Sequence, residues 1–175
     1  MSERILKALM QLFAIVAKID VIKESDEIVA AETSKNIVEI LLKQDLNSEL
    51  VVKYLKIFDQ YIKERHGNKR AKDSKKKRTS VNSVKVLRIC AQINKELEQR
   101  QKVIVLIRIL EFIFADDLHT KEELSFAETV ADSFNVKNEE YQEILQFVAS
   151  SINKLASYDN HLTINSKSNH DNSKG

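Results

Sequence analysis

Proline is absent from this chain and glycine occurs only twice in 175 residues. Reversals between β-strands depend on residues that supply a positive or a fixed φ, and glycine and proline do so at least cost. A sheet protein of this size needs many such reversals, so the sequence predicts an all-α fold. Hydrophobic residues make up 43% of the chain, enough for one sizeable core and hence for one domain.

Apolar periodicity predicts about seven helices. Residues 3 to 18 place Ile5, Leu6, Leu9, Leu12, Phe13, Val16 and Ala17 on one broad face, with Arg4, Lys7, Gln11 and Lys18 opposite. An acidic break over 18–27 follows, and Ile28, Ala31, Val38, Leu41 and Leu42 mark a second helix. After the interruption at 45–49, Leu50, Val51, Tyr54, Leu55, Phe58 and Ile62 form a third, which ends near His66-Gly67. A fourth starts at Ser80 or Ser83 and carries Val84, Leu87, Cys90, Ala91 and Ile93. The run VIVLIRILEFIF from Val103 to Phe114 is rich in β-branched residues, but its length exceeds a usual strand and predicts a central, mostly buried helix. Thr120-Lys121-Glu122-Glu123 is a capping-box pattern that opens a sixth helix, with Leu124, Ala127, Ala131 and Phe134 on its apolar face. After a turn at 135–138, Tyr141, Ile144, Leu145, Val148, Ile152 and Leu155 mark the last.

The domain is thus expected over 1–157, with a polar, mobile basic loop at 67–79 and a disordered polar tail or linker at 158–175. The net charge of +2 conceals two poles. Glu111 to Glu143 holds ten acidic residues against Lys121 and Lys137, whereas Lys69 to Arg78 holds seven basic residues against Asp73. The basic run suits a solvated loop, an anionic membrane surface or an acidic partner. It lacks the interleaved aromatics that stack on bases, which argues against nucleic acid. A single Cys90 excludes an intrachain disulfide and fits a reducing compartment, and charges interrupt every apolar segment before it reaches membrane-spanning length. A cytoplasmic protein is expected, at or near the inner face of a membrane if the basic run binds one. No Ser-His-Asp arrangement, phosphate loop or nucleotide fingerprint is present, so binding rather than turnover is expected, without a small-molecule substrate.

A loose repeat runs through the chain. Each half has an apolar helix, an Asp, six residues, a Glu and a further helix, the pairs being Asp20 with Glu27 and Asp116 with Glu123. An aliphatic residue stands two places past each Asp, Ile22 and Leu118. Phe114-Ala115-Asp116-Asp117-Leu118-His119-Thr120-Lys121-Glu122-Glu123, and more loosely Leu9 to Glu27, resembles the turn of the TerB-like family, named for a bacterial tellurite-resistance protein. Val21 and Asp117 stand where that family has glycine.

The resemblance implies a helical bundle of two related halves whose acidic face holds metal ions, at positions matching Asp20, Glu27, Asp116 and Glu123. Such an oxygen-only set suits calcium or magnesium. Beside this stands a simpler reading, in which acids at helix N-termini complement the helix dipole and bind no ion. The resemblance further implies a metal-binding or scaffolding module with protein partners, in a bacterial stress-response or membrane-linked complex. The alternative is a metal-free interaction or regulatory domain of a larger polypeptide.

Overall fold

A computed structural model describes residues 2–22, 27–66, 75–115 and 119–162, with the backbone alone described at 19–22, 27–28, 66, 75–83 and 153–162. Seven helices are present among the described residues: α1 (Glu3–Val16), α2 (Glu32–Lys43), α3 (Ser48–His66), α4 (Lys75–Glu96), α5 (Gln99–Phe114), α6 (Lys121–Ser133) and α7 (Asn138–Leu162). The all-α expectation holds, and none of these helices is long and apolar enough to cross a membrane.

Local chemistry sets the helix ends. The Ser2 hydroxyl accepts from the Ile5 amide at the start of α1, and Asn47 Oδ1 accepts from the Leu50 amide at 3.0 Å at the start of α3. Gln101 reaches back to the Glu98 amide at 3.0 Å to open α5. At the end of α6, Asn135 takes φ 54°. There the Asn135 amide donates to Asp132 O and the Val136 amide to Ala131 O, which closes a Schellman turn. Asparagine tolerates this left-handed conformation better than any other residue but glycine.

Packing centres on α1. Nine of its fourteen residues are buried, among them Met10 and Leu12 with no exposure at all. It lies against α3, α4 and α5, and the Phe13 ring stacks on Phe112 of α5 with centroids 5.1 Å apart. Its closest association is with α3, just as that of α5 is with α7. In each half, therefore, the helix before the acidic turn packs mainly on the second helix after it, but the helix between differs, since α2 packs on α3 whereas α6 packs on α4 and α5. Helix α4 sits outside this scheme and bridges the halves, through α1 on one side and α6 on the other.

Several sequence expectations need correction. The stretch 18–27 is no mere break: Ile19–Ile22 (β1) and Glu27–Ala30 (β2) pair as an antiparallel hairpin, with Ile19 opposite Ala30 and Ile22 opposite Glu27. Ile19, Val21, Ile22, Ile28 and Val29 are β-branched, and that local preference outweighs the helical spacing assigned to Ile28. Helix α5 is less buried than expected, with six of sixteen residues inside and Ile104 43% exposed. On α4 the buried stripe is Val86, Ile89, Cys90 and Ile93, whereas Val84 and Leu87 are about half exposed. The true stripe has the i, i+3, i+4, i+7 spacing, which the adjacent valine and leucine obscured.

Two helices also reach into segments expected to be irregular. Helix α4 begins at Lys75, so the basic loop expected over 67–79 is helical from that point. Lysine and arginine are good helix formers, and nothing between Lys75 and Thr79 breaks a helix. Helix α7 continues to Leu162, into the tail expected from 158. Residues 69–74 of the basic run and 163–175 of the tail lie outside the described residues.

Candidate functional site

The two acidic turns differ in construction. After α1, the Ala31 amide donates to Lys18 O at 3.0 Å and extends the hairpin ladder. The buried hydroxyl of Ser34 accepts from the Lys18 amide at 3.2 Å and donates to Lys18 O at 3.4 Å, tying the base of the hairpin to α2. Lys35 of α2 then pairs with Asp59 of α3 at 2.6 Å. Asp20 lies opposite Val29 in the hairpin and Glu27 opposite Ile22, which by register puts these two acidic positions on one face of the ribbon.

After α5 the expected capping box forms. The Thr120 hydroxyl accepts from the Glu123 amide at 3.2 Å, and Glu123 Oε2 accepts from the Thr120 amide at 2.6 Å and the Thr120 hydroxyl at 3.0 Å. One carboxylate oxygen of Glu123 is thereby committed to its own helix. The ring of His119 packs on Phe114 with centroids 4.6 Å apart. Asp116 lies outside the described residues. No group of three or more His, Cys, Asp or Glu side chains is placed to hold a metal ion among the described residues.

A second region draws together groups that the sequence leaves far apart. Helices α3 and α4 flank α1 without closing over its polar stripe, and a groove runs along α1 between them. One section, of about 620 Å³, extends from Arg4 to Gln11 beside Gln92 and Glu96. The other, of about 230 Å³, continues from Gln11 to Ile15 beside Arg65 and Arg88. Gln11 and Tyr61 line both sections. Ile5, Ala8, Ala14, Ile89 and Ile93 contribute an apolar floor.

The groove is strongly cationic, since six basic side chains line it against only Glu64 and Glu96. Glu96 is already engaged, accepting from the Ser2 hydroxyl at 2.8 Å and facing Arg4 at 3.6 Å. Lys7 faces Glu3 at 3.3 Å, and Glu3 also meets Lys53 at 3.0 Å. Hydrogen bonds from Lys53 and Lys7 hold the Glu3 carboxyl below its usual range. Among the described residues, no ion pair joins Arg65, Lys85, Arg88 or Lys95 to a carboxylate. Among the described residues Arg65 Nε is buried without a hydrogen-bond partner, and burial pushes the guanidinium below its ordinary value.

A third cluster holds α4, α5 and α6 together. Asn94 Nδ2 donates to Ser133 O at 2.6 Å, and Gln99 Nε2 donates to Phe134 O at 2.9 Å, so two side chains satisfy the last carbonyls of α6. Cys90 beside them has no exposure, and burial pushes its thiol up to about 11, as expected of an inert structural cysteine. Tyr141 is likewise pushed up to about 12, first by burial and then by the charge of Glu128.

Sequence reasoning therefore found the capping box and missed the groove. A signal for the groove exists. Lys85, Arg88, Gln92 and Lys95 recur at helical spacing on α4, as Arg4, Lys7 and Gln11 do on α1, but nothing in one chain states that the two stripes face each other. Compared with known proteins, the chain matches no family model, no curated protein and no solved structure.

Proposed function

We propose that the chain is a non-catalytic binding module whose principal contact surface is the groove over α1. The observation that carries this reading is the groove itself, an apolar floor rimmed by six cations of which four, Arg65, Lys85, Arg88 and Lys95, lack a carboxylate partner among the described residues. In keeping with the TerB-like resemblance, we place the module in a bacterial stress-response or membrane-linked complex on the cytoplasmic side, with protein partners. A photo-crosslinking residue at Gln92 should yield discrete protein adducts in cells, whereas the same residue at exposed Ile40 on α2 should not. Equal labelling at the two positions would sink this reading.

The resemblance carries a second proposal, that calcium or magnesium binds at Asp20, Glu27, Asp116 and Glu123 and makes the module metal-responsive. The hairpin register favours it by putting Asp20 and Glu27 on one face. Calorimetric titration with each ion tests it, and heat no larger than that of dilution for both would end it.

A further inference from the structure

We infer that the groove over α1 takes an acidic amphipathic helix of a partner protein, its apolar stripe on the floor and its carboxylates on the two rims. This rests on the reading of the groove as the contact surface and adds the chemistry of what it contacts. The groove follows α1 from Arg4 to Ile15, which at the helical rise is about 16 Å, or three turns of a bound helix. Its floor is apolar, and at Ala8 and Ala14 the short side chains leave room for larger ones from a partner. Cations stand on both sides, Arg65 from α3 and Lys85, Arg88 and Lys95 from α4. A helix with one apolar stripe flanked by acids satisfies floor and rims together, in the groove-binding mode by which amphipathic helices are recognised.

Other anionic occupants match less of this surface. A nucleic-acid backbone would meet the rims but set its charge against an apolar floor, and no aromatic pair lies there to stack bases. A flat anionic membrane would reach the exposed Lys85 and Arg88 but would not enter the groove between α3 and α4. Arg65 lines the groove without an ion pair among the described residues and favours a carboxylate, because a planar guanidinium binds a planar carboxylate through two parallel hydrogen bonds.

The test uses the full chain and a fluorescent 16-residue helical peptide carrying Leu and Phe on one face and Glu on its flanks. Two control peptides replace every Glu by Gln, or every Leu and Phe by Ser. By fluorescence anisotropy, the acidic amphipathic peptide should bind at least about tenfold tighter than either control. Lys85→Glu with Arg88→Glu should abolish that preference, and Arg65→Met should weaken it. Melting temperature monitors the fold, and Lys85 and Arg88 are exposed, so the paired variant should remain folded even if Arg65→Met does not. Raising salt from 50 to 500 mM should weaken the wild-type complex severalfold.

Equal binding of the acidic and glutamine peptides, both lost in Lys85→Glu/Arg88→Glu, would overturn the acidic assignment while leaving the groove as the contact surface. Binding indifferent to the groove variants would overturn both. Tighter, groove-dependent binding to phosphatidylglycerol vesicles than to the peptide would overturn the proposal in favour of a lipid surface. Concentration-dependent self-association abolished by Arg88→Glu, without peptide binding, would overturn it in favour of a second copy of this chain.

Discussion

After α1 the chain turns through a hairpin held from α2 by Ser34, whereas after α5 it turns into a helix that caps itself with Thr120 and Glu123. The Asp-x6-Glu spacing is the same in both. In the first, Glu27 is a strand residue five positions before α2 begins; in the second, Glu123 is the third residue of α6. What separates them is composition between the acids. Val21 and Ile22, between Asp20 and Glu27, favour pleated backbone, while Leu118 is the one aliphatic residue between Asp116 and Glu123. A repeated spacing of acids thus fixes neither the backbone nor the role of either carboxylate.

The largest test of this contrast lies at the seam between the halves, where Phe13 stacks on Phe112 with an interplanar angle of 25°. Phe13→Ala and Phe112→Ala should each destabilise by roughly 3 to 5 kcal/mol in urea denaturation. The double variant should lose less than the sum, since the pair shares about 0.5 to 1.5 kcal/mol of ring contact. Strict additivity would show that the halves are stabilised independently and that the turns must be compared in isolation.

Next in size is the staple of the first turn. Ser34→Ala removes both hydrogen bonds that join its hydroxyl to the Lys18 amide and carbonyl and should cost about 1 to 3 kcal/mol, at roughly 0.5 to 1.5 kcal/mol for each. Thr120→Ala in the second turn removes a cap at an exposed helix end and should cost about 1 kcal/mol. If Thr120→Ala proves the costlier of the two, α2 does not hold the hairpin as the geometry indicates.

These residues also show where the sequence was legible. Thr120 and Glu123 are three residues apart, and their pattern specifies its own hydrogen bonds, so the cap could be read directly. Ser34 could not be. Its partner is the backbone of Lys18, sixteen residues away, and a serine inside an apolar-periodic segment reads as an ordinary helical position until the hairpin folds back. The fold class followed from the scarcity of glycine and proline, a property of the whole chain, whereas the hairpin depended on a local run of β-branched residues set between helices. The groove needs three helices at once. Arg4, Arg65 and Arg88 are widely separated in sequence, each reads as solvated helix surface, and only packing reveals that they line one cleft.

The smallest expected effects come from the acids themselves, and they distinguish a cation site from a cap. Asp20 and Glu27 are in strands, away from any helix N-terminus, so Asp20→Asn with Glu27→Gln should change ion-free stability by less than about 0.5 kcal/mol unless like charges crowd there. At the second turn, glutamine can replace Glu123 in a capping box, so Glu123→Gln isolates the charge from the hydrogen bonds. If acids there only complement the helix dipole, Asp116→Asn with Glu123→Gln should lower stability by about 0.3 to 1 kcal/mol per charge, with or without ions. If they form a cation site, their mutual repulsion in the ion-free protein is relieved, and the same variant should melt higher than wild type. The cation proposal further requires that millimolar calcium or magnesium stabilise the wild type by RT ln(1 + [L]/Kd), and that each double variant lose this gain. We expect the higher ion-free melting temperature and the lost response. A lower melting temperature with no wild-type response to either ion would reduce the second turn to a cap and leave the groove over α1 as the functional surface.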